Sequence, residues 1–300
     1  MIGGDVLVIG ENRVFCDIVF VGLPKIPRQG QEIFAKNLVV KGGGAFFTPA
    51  GLARLGMKAI LSTVLGDDPL SQLVFRRIKE EKIDTSFVRI EKEAGVPTTV
   101  SLSFADRALV SWKPPLQKYD LSLHKKVKVR HVHLPGYGTA DPIDLLKNFK
   151  RLGATMSIDA CYKPDITVRS KIFQELANLC DIFFCNRDEA HLLTGKKNYL
   201  GALKELQRNI PEVVIKLGKN GAVYLGKDGL IKSKAFSAKV VDTTGAGELF
   251  ISGYLYGYLK GYSAQNCLKI ANFCGARVTE GTGMGNFPHL NELQKRLRFL

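Results

Sequence analysis

Val241-Asp242-Thr243-Thr244-Gly245-Ala246-Gly247-Glu248-Leu249-Phe250 passes from a strand-like end, through a turn of small residues, into an apolar helix. Gly245, Ala246 and Gly247 leave backbone N–H groups free at the helix N-terminus, which is a ready anion hole. Glycine at two of the three turn positions lets an anion approach the backbone closely. Glu248 falls in the first helical turn beside that hole. Two readings of it stand side by side. It is a base for a hydroxyl attacking a phosphoryl group, or it only complements the helix dipole. In the first reading the dipole and the amides are expected to favour its ionised form.

Upstream of this stretch, short branched runs alternate with helical patterns. Val6–Ile9, Ala59–Leu65, His131–Leu134, Thr155–Ile158, Asp181–Phe184 and Val213–Leu217 read as buried parallel strands. Leu70–Lys82, Pro142–Leu152, Lys171–Asn178 and Tyr199–Asn209 carry apolar residues at helical spacing. The alternation predicts an α/β fold: a doubly wound, mostly parallel sheet with helices on both faces. Ala222–Tyr224 and Leu230–Lys232 read as a hairpin, and Ala246–Leu259 and Ala264–Thr279 as two long helices. Residues 13–40 and 97–112 fit the sheet poorly. Their strand-like runs Asp17–Gly22, Glu32–Val39, Thr98–Phe104 and Leu109–Trp112, the last two joined across Ala105-Asp106-Arg107, predict a small β-sheet lid. The whole of 1–300 reads as one domain, and the lid's strand edges invite a homodimer.

The 300 residues hold 43 Lys+Arg against 28 Asp+Glu, a net charge of +15. The basic residues are spread along the chain. The one tight cluster, Lys125-Lys126-Val127-Lys128-Val129-Arg130, lacks aromatics and reads as a solvated edge or loop, so no nucleic-acid partner is expected. No apolar run reaches 18 residues and no basic n-region opens the chain, so no membrane partner and a cytoplasmic location are expected. Cys16, Cys161, Cys180, Cys185, Cys267 and Cys274 form no Cys-x-x-Cys pair and read as reduced core residues. His131 and His133 share a strand face without a third ligand nearby, so they read as structural or surface histidines. Gly221–Asp228 nearly spells a P-loop, but Asp228 replaces the needed Ser or Thr and the stretch lies in the hairpin. No Gly-x-Gly-x-x-Gly follows the first strand, which removes support for a dinucleotide-dependent oxidoreductase.

Residues 242–248 resemble the C-terminal signature of the ribokinase-like (PfkB) carbohydrate kinases, Asp-Thr-x-Gly-Ala-Gly-Asp, with Glu248 in place of the last Asp. The resemblance extends over the chain. Gly42-Gly43-Gly44 leads into a segment ending Leu55-Gly56, like the family's N-terminal signature, and Gly66-Asp67-Asp68 and Pro97-Thr98-Thr99 stand in their usual places. The resemblance implies that ATP and Mg²⁺ are the cofactors and that Glu248 with Gly245, Ala246 and Gly247 is the catalytic group. It implies substrate contacts at Asp17, Gly42, Gly43, Phe47 and Thr98, and nucleotide contacts at Asn186, Lys216, Gly218, Gly221 and Asn272. Asn186 and Glu189 match the family's Asn-x-x-Glu, which supports Mg²⁺, and Asp242 and Thr244 match a monovalent-cation site that K⁺ fills in many members.

Three departures bear on the substrate. Phe47 replaces an asparagine that contacts substrate hydroxyls, and a phenyl ring cannot hydrogen-bond them. Asp159-Ala160-Cys161-Tyr162-Lys163-Pro164 stands where Asp-Pro-Asn-x-Arg-Pro is common, losing the Asn and a bidentate Arg. Phe46 and Phe47 read either as faces for stacking on a base or as lid and core packing. The expected function is an ATP-dependent phosphotransferase acting on an alcohol group of a sugar-like or nucleoside-like molecule. The alternative is a catalytically weak relative that binds nucleotide or sugar as a sensor or structural subunit.

Overall fold

The computed structural model describes residues 1–103, 107–137 and 142–297. The strands are β1 (Ile2–Ile9), β2 (Val14–Val21), β3 (Asn37–Gly44), β4 (Ala59–Leu65), β5 (Asp84–Ile90), β6 (Thr98–Ser103), β7 (Arg107–Trp112), β8 (Val127–Leu134), β9 (Thr155–Asp159), β10 (Ile182–Asn186), β11 (Glu212–Lys216), β12 (Ala222–Gly226) and β13 (Gly229–Ser233). The helices are α1 (Phe47–Arg54), α2 (Pro69–Glu80), α3 (Leu123–Lys126), α4 (Ile143–Arg151), α5 (Lys171–Ala177), α6 (Arg187–Thr194), α7 (Tyr199–Gln207), α8 (Ala246–Leu259), α9 (Ala264–Val278) and α10 (Leu290–Arg296). The expected α/β architecture is what forms.

The main sheet has the order β13-β12-β11-β10-β9-β8-β1-β4-β5. It is parallel except where the hairpin β12–β13 continues it antiparallel from β11. In β1 the pleat sends Val6 and Val8 to one face, among residues of α1, α2, α8 and α9. Leu7 and Ile9 go to the other, among residues of α4 to α7. Burial on both faces is why the central strands read as unbroken apolar runs. The near-P-loop is indeed a hairpin, with Gly226 opposite Gly229. Among the described residues, no helix is long and apolar enough to cross a membrane.

The second sheet has the order β3-β2-β6-β7. Its third strand was expected at Glu32–Val39 but runs Asn37–Gly44, pairing with β2 from Val21–Asn37 to Val14–Gly44. The Gly-Gly-Gly run is therefore a strand end, made possible by what packs against it (below). Phe104–Asp106, part of the predicted strand and turn, lie outside the described residues. Leu38, Val110 and Trp112 stand exposed on the two edge strands of this sheet.

Other departures have simple causes. The basic cluster at 125–130 is half strand: Val127 and Val129 point inward while Lys128 and Arg130 stay exposed, a period-2 pattern hidden by its charge. Cys161 is not a core residue; it is partly exposed beside Arg13, with Arg13 Nη2 3.6 Å from its Sγ. The segment before Gly245 is not a strand, although the Val241 N–H donates to the Thr279 carbonyl at 2.7 Å.

His131 and His133 are fully buried on β8, where His131 Nε2 and His133 Nδ1 lie 2.7 and 2.8 Å from Ser157 Oγ on β9. Burial holds both imidazoles well below their usual pKa, His131 at about 3. They stay neutral in the fold while the unfolded chain takes up protons below about pH 6.5, so stability is lost as pH falls through that value. The acid-side slope is up to about 1.4 kcal/mol per pH unit for each ring. His133→Gln is expected to flatten it by one ring's share, read from denaturant unfolding between pH 7 and 5. An unchanged slope would show that His133 does not carry this term.

Candidate active site

Three parallel strands end side by side, and each contributes one polar residue at its carboxyl end: Asp159 from β9, Asn186 from β10 and Lys216 from β11. That edge is where open α/β sheets bind ligands. The Lys216 ammonium lies 2.8 Å from Asp159 Oδ1. Burial alone would lower the Lys216 pKa, but Asp159 and then Glu189 outweigh it and keep the ammonium charged. Asn186 and Glu189 form a capping box on α6. The Asn186 N–H donates to Glu189 Oε2 at 2.7 Å, and the Glu189 N–H donates to Asn186 Oδ1 at 2.9 Å. Burial, then the Asp159 charge, push the Glu189 carboxyl up to about 7 against the pull of Lys216.

The turn before α8 faces this row. Gly245 has φ +82°, and a Cβ there would come 2.8 Å from the Phe47 ring, so both conformation and space call for glycine. A Cβ on Gly247 would lie 3.3 Å from Lys216 Nζ, so the ammonium sits over the start of α8. Glu248 follows, half-buried. Burial, then Asp159, raise its pKa. This corrects the expectation from the helix dipole: desolvation and a neighbouring carboxylate outweigh the favourable N-terminal field, which leaves a stronger base. The Ser252 hydroxyl lies 3.0 Å from both the Thr48 and Glu248 carbonyl oxygens, tying α8 to α1.

Asp242 ends in two bonds. Its Oδ1 accepts the Thr244 N–H at 2.9 Å, and its Oδ2 accepts from Lys41 Nζ at 2.8 Å. Burial would raise its pKa, but the Lys41 ammonium brings it below the ordinary carboxylate value. Asp242, one of the two residues expected at a monovalent-cation site, therefore meets a lysine.

Three cavities meet around Gly245–Glu248. A polar one of about 660 Å³ is lined by Asp159, Asn186, Glu189, Lys216 and Glu248, with Arg13, Phe15, Cys161 and Tyr162 on its far side. A more apolar one of about 640 Å³ shares Lys216, Gly218, Thr243 and Gly247 with it and runs past Gly221 to Phe236, Asn272 and Gly275. A small one of about 210 Å³ lies under the second sheet, between Asp17, Thr99, Ser101 and Phe47, and shares Phe15, Gly44, Thr244, Gly245 and Glu248 with the first.

The predicted residues are thus mostly brought together, with exceptions. A Cβ on Gly43 would overlap the Asp17 carboxylate, so this glycine makes room for the aspartate. Gly42 points the other way, onto Phe46. Thr98 pairs with Cys16 and borders a separate cavity beside Trp112; strand alternation puts Thr99, opposite Asp17, under the sheet instead. Phe46 and Phe47 are 4% and 1% exposed and contact each other edge to face, so they pack the core, with Phe47 also bordering the small cavity. Asn272 donates to Ser233 at 3.1 and 3.2 Å, anchoring α9 to β13 at the cavity wall. Arg13, Phe15 and Ser101 escaped the sequence reading, and Thr99 entered it only within Pro97-Thr98-Thr99. Arg13 and Phe15 were reachable from Asp17 by period 2; placing Thr99 and Ser101 needed the pairing of β2 with β6.

Residues 23–290 match the family described as pfkB family carbohydrate kinase. The chain belongs to that family. It is 27% identical to 2-dehydro-3-deoxygluconokinase of Bacillus subtilis over 96% of this chain and 94% of that protein. It is also 27% identical to an uncharacterized sugar kinase of Archaeoglobus fulgidus, over 78% of this chain and 96% of that protein. In fold it matches Arabidopsis thaliana ribokinase complexed with ribose and ATP, with a TM-score of 0.81 at 22% identity and full coverage of both chains.

Gly245→Ala is expected to lower stability by about 1–3 kcal/mol through backbone strain and overlap with Phe47. Denaturant unfolding checks it; an unchanged midpoint would show that the turn relaxes freely.

Proposed function

We propose that the chain transfers the terminal phosphoryl group of ATP to a hydroxyl of a sugar-like or nucleoside-like molecule, with Glu248 as general base. One observation carries this reading: Glu248 and Gly245 border both the small cavity under the second sheet and the polar cavity that leads to the Gly218–Asn272 side. An acceptor beside Asp17 would present its hydroxyl to Glu248, which takes the proton as the oxygen bonds to phosphorus and ADP leaves. The Gly245–Gly247 amides and Lys216 would hold the charge of the transferring group. Mg²⁺, when bound, neutralises phosphate oxygens. Asn186 and Glu189 are the residues that would hold it. Among the described residues, no three His, Cys, Asp or Glu close on one metal position. That fits a cation taking most of its ligands from phosphate and water.

Arg13 on the lining of the polar cavity, with Lys113 near Phe15, supports an anionic acceptor. Lys113 has its pKa lowered by burial and then by the nearby Arg13 and Lys163 charges. Its ammonium stands 5.8 Å from the Phe15 ring centroid at the cavity's far side. This crowding of like charge favours acceptors that carry a carboxylate or phosphate.

A coupled ADP-release assay across sugars, nucleosides and sugar acids is expected to find turnover, highest on an anionic acceptor. Tight binding in calorimetry with no turnover on any of them would favour the sensor reading instead. Glu248→Gln is expected to cost roughly 100- to 10,000-fold in turnover; near-full activity would reduce Glu248 to a helix-dipole residue. The extra methylene relative to Asp moves the carboxylate by about 1 Å, a displacement that can cost about 100-fold. Glu248→Asp therefore raises turnover if the site is handicapped and lowers it if the pocket is matched to Glu. Because burial raises the Glu248 pKa, turnover should fall on acidification through a limb above the ordinary carboxylate range. Glu189→Gln should weaken Mg²⁺-dependent turnover more than acceptor binding, and an unchanged Mg²⁺ dependence would show that the metal is held elsewhere.

A further inference from the structure

We propose that the Lys41 ammonium is a built-in cation that orders the phosphate-binding turn, so that this chain uses no free monovalent cation there. Lys41 lies on β3 of the second sheet, 201 positions from the aspartate it meets. Its side chain is 9% exposed and that of Asp242 is 16%, so this is a largely buried pair and not a surface contact. The aliphatic stem runs past Gly283, where an added Cβ would stand 3.2 Å from the Lys41 Cδ. The ammonium is 6.0 Å from the Phe47 ring centroid, and that ring underlies Gly245.

The chain of contacts is short and each link is polar or packed. Lys41 fixes one oxygen of Asp242, and the other accepts the Thr244 N–H one residue before Gly245. The carboxylate thereby sets the entry of the backbone into the turn whose amides face the polar cavity. A K⁺ ion bound at Asp242 would have to share the carboxylate with an ammonium at 2.8 Å, a like-charge clash in a site with little solvent to screen it. The residues therefore do not fit the cation that Asp242 and Thr244 were expected to hold. Lys41 is a positioning residue: it lines none of the three cavities and acts through Asp242. It also ties one edge of the second sheet to the turn. The effect on phosphoryl transfer rests on the kinase reading above; the ordering of the turn does not.

The test compares wild type with Lys41→Met in buffers of equal ionic strength containing tetramethylammonium, K⁺ or NH₄⁺. Wild type is expected to melt at one temperature in all three and to bind Mg²⁺-ATP with one affinity. Lys41→Met leaves Asp242 uncompensated. It should melt lower in tetramethylammonium, bind Mg²⁺-ATP on the order of tenfold more weakly, and recover both in K⁺ or NH₄⁺, which are small enough to enter the vacated place. A merely structural lysine would give a loss that no ion repairs. Specific K⁺ stabilisation of wild type overturns the proposal, and so does a Lys41→Met protein indifferent to the ion. If Lys41→Met does not fold in any buffer, the wild-type comparison alone decides. If no nucleotide binds, the kinase reading fails while the melting data still judge Lys41.

Discussion

The Lys216 ammonium is the charge around which the cavity is organised. Asp159 lies 2.8 Å from it, and Glu189 and Glu248 both feel its field. Without it, three carboxylates would face one partly desolvated space, and their mutual repulsion would protonate some of them. With it, the carboxylates take different characters. Asp159 is consumed as its direct partner, Glu189 is poised near neutrality, and Glu248 is left without a cationic contact at the start of α8. Lys216 also lies close over Gly247, where any side chain would meet it. One residue at a strand end thus sets the proton affinity of the cavity and supplies positive charge to it.

The second sheet is joined to this centre by absences of side chains. Gly43 yields its volume to the Asp17 carboxylate, and Gly245 yields its to Phe47. Phe47 in turn fills the space between the two sheets and supports the turn from below. Phe47, which looked like a lost substrate contact, is a packing element, and the polar side chains lining the small cavity include Asp17, Thr99 and Ser101.

The parts of the fold legible in the sequence were those specified locally. Strand β4 and helix α8 appear with the bounds their apolar patterns give, and the turn at Gly245 announces itself by composition. Strand β5, Asp84-Thr85-Ser86-Phe87-Val88-Arg89-Ile90, was missed because an edge strand has only half its surface to bury and its pattern is diluted. Helix α6 was missed because it is eight residues long and polar at its start. The site was legible as far as the separate local motifs reach, from Asp17 and Asn186–Glu189 to Lys216 and the Gly245 turn. The choice of Thr99 over Thr98 depends on register with β2, and the meeting of Lys41 with Asp242 depends on two segments from opposite ends of the chain. Neither leaves a mark in local spacing.

The anchoring of β3 also has a mechanical side. This strand is bonded to the turn through Lys41, and it runs almost directly into α1, which Ser252 locks to α8. At the opposite edge β7 hydrogen-bonds only to β6 within the sheet. The sheet is tied to the turn along its β3 edge. Asp17, on the strand next to β3, therefore stands nearer this anchor than Thr99 and Ser101 on β6 do.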